Sequence, residues 1–270
     1  VISMPDRDTD LCISLSGRPS NIGTRFHNFL YRELGLNYLY KAFTTTDLPA
    51  AVAGIRALGI RGCGVSMPYK EDVIPLVDRI DQSAAVIDAV NTIVNDDGVL
   101  SAYNTDYVAV RSLLEPVDTG SRVLVRGSGG MAKAVVAALR DEGFTDVTVA
   151  ARNAGTGLAL ADRYGFTWRP SGEGETADML INVTPVGMSG GAEEHELAFT
   201  EQQIRDAQTV FDVVAMPVRT PLIDSAIAAE RTVITGAQVV ALQAAEQFAL
   251  YTGVRPSHGL IARASEFSRA

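Results

Sequence analysis

The chain has 270 residues, 47% of them hydrophobic and 20% charged, which excludes a disordered polypeptide. At about 150 residues per domain this length predicts two domains, each able to bury a core without staples. Lysine and arginine number 23 against 32 acidic residues, and the net charge of −9 is the wrong sign for gripping nucleic acid or an anionic membrane.

In chain order, residues 11–15 read as a short buried strand, and 24–34 have helical spacing closed by Gly35 at a C-terminal cap position. Residues 38–42 are strand-like, Asp47 can cap a helix that Gly59 ends, and 62–66 are strand again. Residues 92–94 and 99–102 flank Asn95-Asp96-Asp97-Gly98 and predict a hairpin. A connecting helix over 105–114 stops at Glu115-Pro116. The pattern then restarts, with strands at 123–125, 147–150, 179–183, 210–214 and 232–235. Helices are predicted at 131–141, 156–164 and 221–230, the last with proline at an early position. Residues 239–251 and 257–267 close the chain as helices. Such alternation predicts an α/β protein of two units, with parallel sheet covered by helices on both faces and a break near residues 104–116. Residues 171–176 and 187–196 are rich in Gly and Glu and read as surface loops.

The strand Val123-Leu124-Val125-Arg126 runs into Gly127-Ser128-Gly129-Gly130-Met131-Ala132 and then a helix. This is G-x-G-x-x-A in the context a dinucleotide site demands. One glycine permits the tight turn, the next lets backbone approach a pyrophosphate, and Ala132 allows close helix–strand packing. The plain alternative is a turn that only joins strand to helix. An NAD site places an acid after the second strand, whereas here that strand runs into Ala151-Arg152-Asn153. An arginine there suits a 2′-phosphate, so the cofactor reads as NADP unless Arg152 is only a surface residue.

Three further clusters sit at element ends, where functional side chains concentrate. Gly64-Val65-Ser66-Met67-Pro68-Tyr69-Lys70-Glu71 is expected to present Lys70 at the start of a helix after a proline-kinked turn. Ala89-Val90-Asn91-Thr92 and Asn104-Thr105-Asp106 follow. Each alone is more simply a solvated charge or a cap, and Asp106 could cap the helix that begins at Tyr107. Beside a dinucleotide fold they form a candidate acid/base set. Oxidising a secondary alcohol needs a base for the O–H proton and an acceptor for the hydride. A lysine serves as base where its neutral form is favoured, and a nearby carboxylate favours the charged form. The two would titrate as a coupled pair, and which of them carries the proton at transfer stays open.

These stretches, with Ile181-Asn182-Val183-Thr184, Phe211-Asp212-Val213-Val214, Gly236 and Gln243 in order behind them, resemble the shikimate dehydrogenase family over nearly the whole chain. Residues 16–28 are similar to its divergent, shikimate dehydrogenase-like subgroup. The resemblance implies Lys70 and Asp106 as the catalytic pair, with Asn91 and Asp106 holding ring hydroxyls. Ser20, Asn21, Ser66 and Gln243 would complete the substrate pocket. It implies a cofactor site made by Gly127, Ser128, Gly129, Gly130, Met131, Arg152, Asn153, Thr184, Val213 and Gly236. The C-terminal helices would return to the first unit, giving a catalytic domain of residues 1–105 with 237–270 and a Rossmann-type NADP domain of 106–236.

The chain departs from the family at several points. Counted back from His27, the Ser-x-Ser-Pro that holds the substrate carboxylate falls on Asn21 and Gly23, with Thr24 in place of proline. Ala151 replaces an asparagine before the cofactor arginine, and the strand near Val213 and Ala215 lacks the aromatic that some members place there. These changes predict a shifted substrate optimum and leave the catalytic residues in place.

The three histidines match no metal pattern, so no metal is expected. Two cysteines make no disulfide framework, and Cys12 and Cys63 read as buried, inert thiols of a cytoplasmic protein. No apolar run approaches the roughly 18 residues of a membrane span, and residues 1–10 are too polar for a signal peptide. Trp168 reads as packing and Lys133 as an exposed helix lysine or a phosphate contact. The expectation is an NADP-dependent enzyme, monomer or homodimer, interconverting shikimate and 3-dehydroshikimate, with residues 187–196 able to cover the substrate. The alternatives are a quinate or amino-substituted shikimate dehydrogenase, with NAD as the alternative cofactor, or a regulatory homologue that binds nucleotide with little turnover.

Overall fold

The computed structural model describes residues 5–270. The first four residues of the stretch read above as unlike a signal peptide lie outside the described residues. The chain divides into two compact units, Val1–Val108 with Ala241–Ala270, and Ala109–Val240.

The first unit begins β1 (Asp10–Leu15), α1 (Asn21–Glu33), β2 (Tyr38–Phe43), α2 (Leu48–Ala57) and β3 (Gly62–Val65). After a 3-10 turn at Ile74–Leu76 come β4 (Arg79–Ile80), α3 (Gln82–Ala85), β5 (Thr92–Asp96), β6 (Val99–Tyr103) and α4 (Thr105–Leu114). Its sheet runs β2-β1-β3-β5-β6-β4. The sheet is mixed rather than all parallel. β1 lies parallel to β2 and β3, but the hairpin strands β5 and β6 must be antiparallel to each other, and β5 docks antiparallel on β3. Alternate residues of β1 serve two cores. Ile13 and Leu15 pack with Val52 and Ile55 of α2, while Cys12 packs with Phe26, Leu30 and Tyr31 of α1.

The second unit holds β7 (Val123–Arg126), α5 (Gly130–Glu142), β8 (Val147–Ala150), α6 (Ala154–Tyr164), β9 (Thr167–Arg169), β10 (Met179–Asn182), α7 (Glu201–Asp206), β11 (Thr209–Asp212), α8 (Pro221–Ala228) and β12 (Thr232–Thr235). Every strand pairing here is parallel, in the order β12-β11-β10-β7-β8-β9. The chain winds outward from β7 to β9, then restarts at β10 on the other side. That reversal beside β7 is the switch point of a doubly wound, Rossmann-type sheet. α5 buries Ala132, Val135, Val136 and Leu139, and its helix ends on Gly143 in the left-handed conformation.

The chain closes with α9 (Gly236–Thr252) and α10 (His258–Arg269), and Ala244, Phe248 and Ala264 join the aromatic core of the first unit. Among the described residues no helix is long and apolar enough to cross a membrane. The short elements β4, α3, β9 and α7 escape the sequence reading. α7 nonetheless carries a capping box, with Thr200 accepting from the Gln203 backbone and Gln203 reaching back to Thr200.

Candidate functional site

In the second unit a cavity of about 910 Å³ opens at the C-terminal ends of β7, β8 and β10, beside the switch point. Gly127, Ser128, Gly129, Arg152, Asn153 and Thr184 line it. Gly127 has φ +122, and a side chain there would come within 2.9 Å of the Val183 Cγ2. Only glycine lets the chain turn there. Gly129, in extended conformation, is the N-cap of α5, and a Cβ on it or on Gly130 would meet nothing, so this backbone is open to a ligand. Arg152 is exposed and, among the described residues, makes no ion pair or hydrogen bond. Asn153 accepts from Thr156 N at 3.2 Å, so its side-chain carbonyl caps α6. Ser128 and Thr156 share a hydroxyl hydrogen bond of 2.7 Å. The 187–196 loop contributes His195 and Glu196 to the lining.

Gly130, Met131, Val213 and Gly236 do not line this cavity. Gly130 and Met131 open α5, and Val213 follows β11. Gly236 packs against Val213: a Cβ would lie 2.3 Å from the Val213 carbonyl oxygen. Behind these loops Asp212 is fully buried. Its carboxylate accepts from Thr220 Oγ1 at 2.6 Å, Asn182 Nδ2 at 3.0 Å and Val214 N at 3.0 Å. Asn182 Oδ1 in turn accepts from Thr184 Oγ1 at 2.6 Å. Burial pushes the Asp212 carboxyl above its ordinary value, against these three donors.

In the first unit a second cavity, of about 240 Å³, gathers Ser20, Ser66, Lys70, Asn91, Asp106 and Gln243. Asn21, at the exposed start of α1, is not among its walls. Lys70 lies within a run of turns rather than at a helix start. The turn is held because Val90 N donates to the Lys70 carbonyl at 2.8 Å and Tyr69 N to the Ser66 carbonyl at 3.0 Å. Asp106 sits in the first turn of α4 without capping it. That cap is Asn104, whose Oδ1 accepts from Tyr107 N at 3.0 Å. The Asp106 carboxylate is therefore available, and Lys70 Nζ donates to its Oδ2 at 2.6 Å. The two side chains are 30% and 16% exposed, reachable from solvent but sheltered.

Beneath the pair runs a polar network. Asn91 is buried, its Oδ1 accepting from Thr105 N and Thr92 Oγ1, each at 2.8 Å. Thr105 Oγ1 donates to Gln243 Oε1 at 3.3 Å. Gln247 Nε2 donates to the Asn91 carbonyl at 3.2 Å and to Thr92 Oγ1 at 3.0 Å. Sequence reasoning missed Gln247, as well as Ser14, Ser16, Arg18 and Tyr40 in the wall. Gln247 was findable, being one helical turn beyond Gln243 on the same face.

The remaining chemistry-bearing residues fall outside both sets. Cys12 and Cys63 are buried, and burial pushes the Cys12 thiol up to about 12 and Cys63 further still, which keeps both protonated. Among the described residues no three His, Cys, Asp or Glu side chains cluster as a metal site.

The chain matches known proteins along its length. Residues 21–93 match the shikimate dehydrogenase substrate binding domain. A shikimate dehydrogenase-like protein of Haemophilus influenzae is 56% identical over 268 residues, covering 98% of this chain and 99% of its own. A solved shikimate 5-dehydrogenase-like protein aligns with a TM-score of 0.97 at 56% identity, covering 99% of this chain and 100% of that one. Shikimate 5-dehydrogenase of Thermus thermophilus, solved with NADP(H) and shikimate, aligns with a TM-score of 0.87 at 28% identity, covering 96% of this chain and 100% of that one. Likeness that runs over nearly all of both chains, and not through one motif, means that this chain belongs to the shikimate dehydrogenase family of oxidoreductases.

Proposed function

We propose that the chain is an NADP-dependent dehydrogenase interconverting shikimate and 3-dehydroshikimate. The observation that carries this reading is the Lys70–Asp106 pair in a polar cavity floored by Asn91 and Gln243. In this reading residues 1–105 with 237–270 bind substrate and residues 106–236 bind the cofactor.

The second unit fits NADP. The Gly127 turn has no room for a side chain, the backbone at Gly129 and Gly130 is open, and Arg152 has a guanidinium free for a 2′-phosphate. Bound NADP+ supplies the acceptor for the hydride that leaves the substrate carbon. The first unit handles the proton. The Lys70–Asp106 pair receives it from the reacting hydroxyl, and in the reverse direction returns it to the new alkoxide. Asp106 orients the Lys70 ammonium through the 2.6 Å bond, and Asn91 and Gln243 offer amide groups to the remaining hydroxyls. Two unpaired, buried cysteines suit the reducing cytoplasm.

The test is NADPH formation from shikimate and from quinate, with NADP+ and with NAD+, for wild type and Lys70→Ala. Turnover of shikimate with NADP+, lost in the variant, is the expected result. NADP+ binding with no turnover of either acid would overturn the substrate assignment.

A further inference from the structure

We infer that Arg18 holds the substrate's carboxylate, so that a guanidinium does here what neutral hydroxyls do elsewhere in the family, and that the cavity selects a monoanionic polyhydroxy carboxylate over a neutral polyol. The inference rests on the functional reading above and adds to it the residue that decides substrate charge.

Charge is the first argument. The walls of the first-unit cavity hold three ionised groups, Arg18, Lys70 and Asp106. Lys70 and Asp106 neutralise each other across 2.6 Å. Arg18 is left over, giving the cavity one net positive charge inside a chain whose total is −9. A ligand carrying one negative charge balances it and a neutral one does not.

Availability is the second. Arg56, Arg122 and Arg255 each lie against a carboxylate. Among the described residues the Arg18 side chain has no such partner, and only its backbone N–H is used, donating to Ser16 Oγ at 3.1 Å. Its five donors are free for the two parallel bonds that a guanidinium makes to a carboxylate.

The backbone around Arg18 is fixed relative to the catalytic turn. Ser16 N donates to the Phe43 carbonyl at 3.1 Å and Gly17 N to the Met67 carbonyl at 3.0 Å. A Cβ on Gly17 would sit 3.1 Å from Pro68 Cδ, so the segment rests on the turn that carries Lys70. The positions where the family has its two serines cannot do the same work. Asn21 is outside the walls, and Gly23, although in them, has no side chain. Ser20 remains as a neutral helper beside Arg18.

The test measures kcat and KM for shikimate and for its neutral methyl ester, at saturating NADP+, in wild type, Arg18→Ala and Arg18→Lys. A lost charge-assisted pair should raise KM for shikimate about 10- to 100-fold in Arg18→Ala while kcat changes little. The ester should be almost indifferent, so the wild-type preference for the acid collapses. Arg18→Lys should recover part of it, the charge without the fork. Raising the salt should weaken shikimate binding in wild type and leave Arg18→Ala nearly flat. Thermal melting controls for folding and should not move, because among the described residues the Arg18 side chain has no partner to lose. If wild type oxidises shikimate and Arg18→Ala keeps the acid-to-ester preference, the inference about Arg18 is overturned and the proposed function stands. If wild type oxidises neither shikimate nor quinate, the functional reading falls and this inference falls with it.

Discussion

Lys70 Nζ and Asp106 Oδ2 lie 2.6 Å apart, and neither side chain serves the element that carries it. Asn104 caps α4 in place of Asp106, and backbone bonds through Val90 hold the Lys70 turn without its ammonium. A pair so little used structurally has a consequence for mutants. Lys70→Ala and Asp106→Asn should each lower kcat by about 10²- to 10⁴-fold, the range of a lost acid/base group. The double variant should be little worse than the worse single one, since the two act as a unit. Partly exposed ion pairs contribute about 0–1 kcal/mol, so unfolding midpoints should barely move. Steady-state kinetics and urea melts of the three variants check this. Fully additive losses would mean that the residues act separately.

Arg152 decides the cofactor if it grips a 2′-phosphate. Arg152→Asp should raise KM for NADP+ by about 10- to 100-fold, the worth of a charge-assisted pair. KM for NAD+ should stay the same or fall, because an acid at this position can bond the ribose hydroxyls. Titration of both cofactors against one substrate reads this directly. An equal loss for both would assign Arg152 to folding or to the pyrophosphate.

Much of this was legible in the sequence because the relevant residues end strongly patterned elements. The Gly127 turn follows a buried strand and opens an alanine-rich helix, and the hairpin around Asn95 to Gly98 marks the β5–β6 pair. What stayed hidden depends on pairing across the fold. Ser14 is one β1 position beyond Ile13 and faces the site only because β1 lies between β2 and β3. Tyr40 reaches the same cavity from β2. Arg18 enters the wall of that cavity because its segment rests on Met67 and Pro68, a contact that linear order does not reveal. The antiparallel entry of β5 beside β3 also defeats a pattern rule, since strand alternation reads the same in either direction.

Gln247 ties α9 to the floor of the first-unit cavity. Gln247→Leu removes two donated bonds from a residue that is only 7% exposed. The Asn91 carbonyl keeps Val65 N at 2.7 Å, which limits the damage. A loss of about 1–2 kcal/mol in stability is expected, together with a raised KM for substrate as Asn91 loses one of its anchors. Gln247→Glu should do no better, because a carboxylate cannot donate to the Asn91 carbonyl. Urea unfolding and substrate kinetics of both variants test the assignment. Unchanged KM with reduced stability would confine Gln247 to folding.

His27 makes acid stability a sharper test than pH 7 activity. Its ring is buried, stacks on Tyr40 at 4.4 Å, and among the described residues has no hydrogen-bond partner on either nitrogen. Burial pushes it down from 6.5 to about 3, and Gln247 lies near enough to oppose this in part without bonding the ring. The unfolded chain therefore takes up the proton first as pH falls. Stability from this residue is complete above about pH 6.5 and drains away as the pH drops toward 3, with about 2 kcal/mol gone by pH 5. The Arg122-paired Asp178, held down at about 2, begins to lose its contribution only below about pH 4, so the two windows separate. His27→Phe keeps the stacking and leaves no ring nitrogen unpaired, so it should be as stable as wild type or more so at pH 7.5. It should also lose most of the difference between pH 7.5 and pH 5. Urea unfolding at those two pH values decides it, since an undiminished loss in the variant would place the titrating group elsewhere.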